Sequence, residues 1–201
     1  GLKRRWAPFL LAALLVYLGG GLASHLLFNV QDVYGLTCVE SAATRKLETR
    51  GDTSGPIRFD TSDLCKPTGI MVEKGARYLI EIKPVPGADW ADDGIPVPLG
   101  GFSAAHPPVW YHRLKLAAAV PLRRETTQDW FHVVLRYGRV GGEEAFIVPD
   151  PDDNLIQSPI RATRNGELFI FVNEAVIGIP GLYDLFYRNN RGAADLVVTR
   201  R

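Results

Sequence analysis

Hydrophobic residues form one long uninterrupted block near the start of the chain. From Trp6 to Phe28 no side chain is charged apart from His25, whose ring can be neutral, and basic residues occupy positions 3–5. A helix of that length is roughly 34 Å long at 1.5 Å per residue, which is enough to cross the ~30 Å hydrocarbon core of a bilayer once. The pattern therefore predicts one transmembrane helix over residues 6–28.

The charges beside this block predict its orientation. The basic residues precede it and no comparable cluster follows it, so the positive-inside rule places residues 1–5 in the cytoplasm and the bulk of the chain across the membrane. We expect a single-pass protein of the cell inner membrane with its C-terminal domain in the periplasm. The run 19–21 is all glycine and permits close packing of a second transmembrane helix. A cleaved signal peptide is the alternative, because Gly21-Leu22-Ala23 has the small residues that a signal peptidase accepts.

Short apolar runs separated by turn formers fill the rest of the chain. Six runs are rich in β-branched and aromatic residues: 76–83, 113–122, 130–138, 144–150, 166–173 and 194–200. Each is too short for a helix of ordinary length, and their spacing predicts an antiparallel sandwich or barrel. In 166–173 both faces are apolar, which is typical of a central strand covered on each side.

The segment between the hydrophobic block and these strands is polar. Helix formers within 39–50 predict a short helix, and the breakers in 51–56 mark its end. We expect residues 29–56 to form a juxtamembrane stalk and residues 57–201 to form the periplasmic β-sandwich.

Two cysteines, Cys38 and Cys65, lie in the part of the chain that is predicted to be exported. An oxidising compartment would let them form a disulfide, although their spacing also allows two unrelated buried thiols. They lack the C-x-x-C spacing of zinc and redox motifs.

Composition and charge exclude some classes of function. Lysine and arginine total 23 against 22 acidic residues, and the arginine pairs at 123–124 and 200–201 are isolated. No stripe of basic and aromatic residues is available to follow a phosphate backbone, so we expect no nucleic-acid binding. The hydrophobic fraction of 46% is ordinary for a chain with one modest core.

No local signature of an enzyme is present. The chain has no G-x-S-x-G elbow, phosphate-binding loop, G-x-G-x-x-G or H-E-x-x-H motif. We therefore predict a protein that is not an enzyme. A hydrolase that uses His112 or His132 with Asp92 and Asp93 remains as an alternative.

The end of the chain resembles the PA-I galactophilic lectin family. The resemblance rests on a strand that ends in Asn173-Glu174, a loop, and the run "NNRG" at 189–192 before a last strand. It is extended by "EKGARYLIEI" and a later loop that contains "WADDG" at 90–94. The family has a galactose-binding-like antiparallel β-sandwich, a jelly roll, in which a calcium ion bridges protein and sugar hydroxyls. The resemblance implies the same mainly β fold here, behind the transmembrane helix.

The resemblance also implies a calcium site. Glu174 would be the acidic ligand and Asn189 a side-chain ligand, while Asn190 and Asp93 would offer backbone carbonyls. Calcium prefers six to eight oxygen ligands of these kinds. Ca²⁺ is the one cofactor that the resemblance implies, and a galactoside is the corresponding ligand. Glutamate stands where the family has aspartate, which moves the carboxylate outward by one methylene.

The loop between the two halves of this motif is unusually apolar. Its hydrophobic residues are Ile177, Ile179, Leu182, Tyr183, Leu185 and Phe186. An apolar loop tip on an exported domain is typical of contact with another protein or a membrane surface. We expect a non-enzymatic accessory or assembly subunit of a larger membrane complex. A calcium-dependent galactoside-binding module is the alternative function.

Overall fold

The fold consists of a long N-terminal helix joined to three β-sheets. The computed structural model describes residues 2–88, 90–147 and 155–201, with side chains from residue 6 onward. The helices are α1 (Leu2–Val33) and α2 (Trp110–Ala119), and short 3-10 turns occupy Val120–Leu122 and Tyr187–Asn189. The strands are β1 (Arg45–Lys46), β2 (Ile57–Asp60), β3 (Lys66–Val72), β4 (Arg77–Pro84), β5 (Ala91–Asp92), β6 (Ile95–Pro96), β7 (Val133–Tyr137), β8 (Glu143–Phe146), β9 (Ile156–Arg161), β10 (Gly166–Val172), β11 (Asn190–Arg191) and β12 (Ala193–Arg200).

The predicted mainly β architecture is confirmed. One sheet has the order β1-β3-β10-β7-β8 and the other β2-β12-β4-β9, and every pairing in them is antiparallel except that of β1 with β3. Leu135 and Ile170 from the first sheet share one buried core with Ile80 and Leu196 from the second. Two sheets that enclose a common apolar layer form a sandwich. The third sheet, β11-β5-β6, is small.

Strand β10 is the central strand that its sequence predicts. It pairs with β3 on one side and β7 on the other, and all its residues after Gly166 are buried. Its inward residues contribute to the core, while Phe169 and Phe171 lie outside that core and are also fully buried. A second layer therefore covers the outer face of this sheet.

Helix α1 supplies much of that layer. It extends five residues beyond the predicted end of the transmembrane block, as far as Val33. The Ser24 hydroxyl accepts a hydrogen bond from the backbone N–H of Gly178 (2.9 Å), in the loop after β10. The Val33 carbonyl accepts one from Gly141 (2.6 Å), between β7 and β8. The last third of α1 thus runs along the sheet, from the C-terminal end of β10 towards its N-terminal end.

A buried ion cluster holds α1 against the sheet. The Asp32 carboxylate pairs with Arg124 (3.2 Å) and with Arg136, whose side chains are 1% and 2% exposed. Arg136 also donates to the Asp32 carbonyl (2.9 Å), and the Arg124 guanidinium lies 3.5 Å from the ring centroid of Phe171. Each charge is paired and hydrogen-bonded, as burial of ions requires.

The first part of the chain could span a membrane. Within the helical segment Trp6–Val33, the most apolar 18-residue window has a mean hydropathy of 1.9, and only 6% of that window is buried. It is the one helix with these properties in the part of the chain that the structure describes. A signal sequence has the same properties, so retention of the helix and its orientation stay predictions.

The short helix predicted within 39–50 is wrong. Arg45–Lys46 form strand β1 instead, and Leu47 is 2% exposed. The cause is the buried Glu167, whose carboxylate accepts hydrogen bonds from the N–H (2.9 Å) and hydroxyl (2.6 Å) of Ser41. Residues 34–56 consequently pack on the sandwich, in the region that the sequence suggested as a stalk.

The strand predicted at 113–122 is also wrong, because α2 and a 3-10 turn occupy these residues. The alternation of Arg113, Leu114, Lys115 and Leu116 suggested a strand, but the alanines that follow favour a helix. Strands β4, β7, β10 and β12 match four of the other predicted runs. The fifth, 144–150, overlaps β8, and its last three residues lie outside the described residues.

Cys38 and Cys65 form a disulfide, with their Cα atoms 5.2 Å apart. The alternative of two unrelated thiols is therefore wrong. The bond joins the segment after α1 to the residue before β3, and it is the type of crosslink that persists in an oxidising compartment.

Replacing Asp32 with alanine should strongly destabilise the fold. Arg124 and Arg136 would be left buried and unpaired, which typically costs about 3–5 kcal/mol. Asp195→Ala is the matched control, because it removes an exposed pair with Arg58 (2.7 Å) that should be worth less than about 1 kcal/mol. Guanidinium unfolding of the full chain in detergent, followed by near-UV circular dichroism, measures both. Equal losses would contradict a central role for the cluster.

Candidate functional site

A small cavity lies beyond the C-terminal end of β10, beneath α2. Its volume is about 50 Å³, which is room for a few water molecules or one hydrated ion, since one water occupies roughly 10–15 Å³ on this measure. The lining residues come from the β5–β6 hairpin, the inner side of α2, the loop before β7, and the loop between β10 and β11: Asp92, Asp93, Ile95, His112, Lys115, Leu116, Ala119, Trp130, Glu174, Phe186 and Asn189.

The β5–β6 hairpin positions two of the carboxylates. Asp93 and Gly94 form its two-residue turn, with φ values of 45° and 78°. Positive φ at both central residues defines a type I′ turn, which Asp-Gly favours. The turn by itself accounts for the presence of Asp-Gly at this position. The turn fixes Asp92 at the end of β5, directly opposite Asn190 in β11.

Glu174 is positioned by the residue before it. The Asn173 side chain is fully buried and accepts a hydrogen bond from the N–H of Glu125 (2.8 Å), while its amide donates to the carbonyl of Asp129 (2.9 Å). Glu174 follows and is 4% exposed. Its Oε1 accepts a hydrogen bond from the N–H of Ala175 (2.8 Å), but its buried Oε2 has no partner among the described residues.

Helix α2 brings the one lysine of the site. His112, Lys115, Leu116 and Ala119 line the cavity at the i, i+3, i+4, i+7 spacing of a single helical face. The Lys115 ammonium donates a hydrogen bond to the Asp93 carboxylate and forms an ion pair with it.

The three carboxyl groups differ in their electrostatics. Burial raises the pKa of Asp92 to about 6, the charge of Asp93 adds to the rise, and Lys115 opposes it. Burial also raises the pKa of Glu174 well above its usual value, with a further contribution from the charge of Asp92. The hydrogen bond from Lys115 lowers the pKa of Asp93. One carboxylate is thus held ionised, while two buried carboxyls favour a proton or a compensating cation.

The cavity offers the types of ligand atom that calcium prefers. Asp92, Asp93 and Glu174 supply carboxylate oxygens and Asn189 an amide, and the unpartnered Glu174 Oε2 is the kind of atom that a bound cation satisfies. Within the described residues, however, no three histidine, cysteine or acidic side chains converge closely enough to hold a metal ion. The Lys115 ammonium is the cation that the acidic cluster contacts.

A shallower groove lies on the outer side of the same residues. It has a volume of about 330 Å³ and is lined by Asp93, Gly94, Arg188, Asn189, Asn190 and Arg191. The inner cavity is too small for a sugar ring, whereas this groove reaches the lower end of the ordinary range for small-molecule pockets.

The structure brings together most of the residues that the lectin resemblance implies. Asp93, Glu174 and Asn189 line the cavity, and Asn190 lines the outer groove, where its amide donates to the Thr61 carbonyl (3.1 Å). Sequence reasoning missed Lys115 as a site residue because it predicted a strand there. The helical spacing of the α2 residues was the signal that would have found it.

The two histidines of the alternative hydrolase are separated. His112 lines the cavity with Asp92 and Asp93, and His132 does not line it. His132 meets the ring of Phe146 edge-on instead, with ring centroids 6.3 Å apart. The sequence offered either histidine as a partner of the two aspartates, and His112 is the one that lies with them in the cavity.

The apolar loop is partly used inside the chain. Gly178 lies so close to α1 that a Cβ there would be 2.7 Å from that of Leu27. The Tyr183 ring meets Phe28 edge-on at 6.0 Å, and its hydroxyl hydrogen-bonds Gln31. Three loop residues remain open to the surroundings: Ile179, Leu182 and Leu185, which are 54%, 37% and 42% exposed.

Comparison with known proteins gives one weak likeness. No protein-family model and no curated protein matches the chain. Among solved structures, the chain is similar to the N-terminal domain of EclA, described as a PllA-like lectin, with a TM-score of 0.40 and 16% identity over 73% of this chain and 95% of that one. The fold stated above stands on the strand order and core of this chain itself.

Asp92→Asn should stabilise the protein at about pH 8. Because the pKa of Asp92 is raised in the fold, the folded state holds its proton up to about pH 6 while the unfolded state releases it near pH 4. Stability is therefore lost as pH rises through this window, and the asparagine should recover about 1–3 kcal/mol above it.

Asp93→Asn is the control of opposite sign. The pKa of Asp93 is lowered, so its contribution is present above the unfolded pKa and is lost as pH falls. We expect this variant to be less stable than the parent at about pH 8. Thermal melts of the full chain in detergent with a calcium chelator, across the pH range, check both. Destabilisation by Asp92→Asn at high pH would contradict the electrostatics described.

Proposed function

We propose that this protein is a non-enzymatic, single-pass membrane protein whose periplasmic β-sandwich serves as an accessory subunit of a larger membrane complex. The observation that carries the proposal is the contrast between the two parts of α1. Residues 6–20 are exposed on every side of the helix, while one face of the helix from Gly21 onward packs against the sandwich. One helix therefore joins an unpartnered apolar segment rigidly to a folded domain.

The glycine run supports a transmembrane partner. A Cβ on Gly21 would lie 2.9 Å from that of Pro121, so this glycine serves the contact between the helix and its own domain. Gly19 and Gly20 have no atom within 4 Å of such a Cβ position. Small residues let the backbones of two helices approach closely in lipid, which is how helices associate without a hydrophobic driving force.

The disulfide supports export of the sandwich. Cys38 and Cys65 are bonded in the part that follows α1, and such bonds persist in compartments such as the bacterial periplasm. Orientation with the basic residues 3–5 in the cytoplasm places the sandwich on that side.

Gly20→Leu should release the protein from its complex. The added side chain would fill the space that a partner helix needs, while leucine is a better helix former than glycine, so the fold should remain. Native gels of membranes extracted with mild detergent should show a high-mass band for the parent and a loss of that band for the variant. Leu18→Phe adds bulk on nearly the opposite side of the helix and should leave the band intact. A monomer in the parent membranes would overturn the proposal.

Calcium-dependent carbohydrate binding is the second candidate function. It is favoured by the acidic cavity, by the unpartnered Glu174 Oε2, and by the groove beside Asn189 and Asn190. In this reading Asp92, Asp93, Glu174 and Asn189 would have to move closer together around the ion, because their acidic groups do not converge closely enough as described. The ion would then supply coordination for sugar hydroxyls in the groove. Lys115 would have to release Asp93 first.

Calorimetry of the full chain in detergent tests this candidate. Calcium alone should give a chelator-sensitive signal that Glu174→Gln removes, and a galactoside should bind only with calcium present. Lys115→Gln should bind calcium more tightly than the parent, because it removes the competing ammonium. Flat traces for all three proteins would reject calcium binding, and a calcium signal without a galactoside signal would reject the sugar.

A further inference from the structure

Helix α2 has two faces, and the outer one has no partner within the described residues. Leu116 is its only buried residue, on the face that lines the cavity. On the opposite face Trp110, Leu114, Ala117 and Ala118 follow the spacing i, i+4, i+7, i+8, and all are exposed. Trp110 and Leu114 are 72% and 62% exposed, and Tyr111 beside them is 52% exposed. Exposure of this apolar stripe to water would be unfavourable.

The level at which the end of α2 contacts α1 indicates whether the outer face of α2 meets water or lipid. The helix continues directly into Val120–Leu122, whose Pro121 contacts Gly21 of α1. Gly21 lies roughly 22 Å beyond Trp6 along the helix axis at 1.5 Å per residue. A hydrocarbon core of ~30 Å that begins at Trp6 would end only near Leu26. The 3-10 turn that follows α2 would therefore meet α1 at a depth within the bilayer.

The loop after β10 contacts α1 closer to the membrane surface, near the level of Leu26. Gly178 packs against α1 between Ser24 and Phe28, and Ile179 follows it with 54% of its surface exposed. Leu182 and Leu185 extend this exposed apolar surface. The loop of the sandwich packs tightly against α1 here. If the full apolar span of α1 lies in the bilayer, these loop residues must therefore also reach the membrane.

We infer that the outer face of α2 and the tip of the loop, Ile179, Leu182 and Leu185, lie in the lipid of the exported membrane surface. The inference rests on the membrane anchoring proposed above. The aromatic pair Trp110-Tyr111 suits the boundary between headgroups and acyl chains, where such rings are enriched. Helix α2 carries Arg113 and Lys115 and no acidic residue, as interfacial helices that meet anionic lipids do.

The same geometry sets the orientation of the sandwich. The C-terminal end of β10, with the acidic cavity behind α2, faces the bilayer. The turn between β9 and β10, which contains the exposed Thr163, lies at the opposite end of the strand and faces away. A ligand of this cavity would have to approach along the membrane surface.

Spin labelling of the full chain in vesicles tests the arrangement. Leu114→Cys and Leu182→Cys, each with a nitroxide label, are reconstituted in mixed phosphatidylcholine and phosphatidylglycerol vesicles, with Thr163→Cys as the matched control. Both native cysteines are disulfide-bonded, so the label should attach to the introduced thiol. The ratio of accessibility to oxygen over that to a water-soluble nickel complex should be several-fold higher at Leu114 and Leu182 than at Thr163. Ala118→Cys, a smaller change on the same face, replaces Leu114→Cys if that variant does not fold.

Two outcomes would overturn the inference. Labels on the α2 face with the same nickel accessibility as Thr163 would place that face in water. Labels that are shielded from both oxygen and nickel would place it against another protein or a second copy of the chain. Flotation of the vesicles reports membrane anchoring separately, so loss of the anchor is distinguished from a wrong orientation.

Discussion

The paired charges of Asp32, Arg124 and Arg136 determine how the two parts of this molecule are joined. They lie where α1 crosses the outer face of the five-stranded sheet, and Arg124 also covers the ring of Phe171. Without α1, that face would expose Phe171 and two buried guanidinium groups. The end of the helix is therefore a layer of the sandwich, and a change in the angle of the helix must be transmitted to the domain.

Helix α2 serves two surfaces at once. Its inner side places Lys115 against Asp93 and closes the acidic cavity, while its outer side carries Trp110 and Leu114. Any event that moves α2 at the membrane would also open or close the contact between Lys115 and the carboxylates. The proposed roles in membrane contact and in cation binding are therefore physically coupled, although each is tested by itself.

The elements that the sequence predicted well are those whose residues interact locally or follow one simple period. The apolar residues of 166–173 made β10 recognisable as a central strand, and α1 was recognisable from its unbroken hydrophobicity. The failures occurred at 39–50, where a distant partner decides the structure, and at 113–122, where the helix-forming alanines were overlooked. Glu167 binds Ser41 from far along the chain and ties that segment to β10.

Sequence alone determined the class of fold and the apolar helix that can span a membrane. These follow from composition and periodicity, which act over a few neighbouring residues. The residues of the candidate site came from the resemblance to a lectin family, which rests on the end of the chain. Only the tertiary structure decided that Cys38 and Cys65 are bonded, that Lys115 reaches Asp93, and that α1 is fastened through Asp32. Such contacts join residues distant in sequence, and their geometry exists only once the sheets have paired and closed around the core.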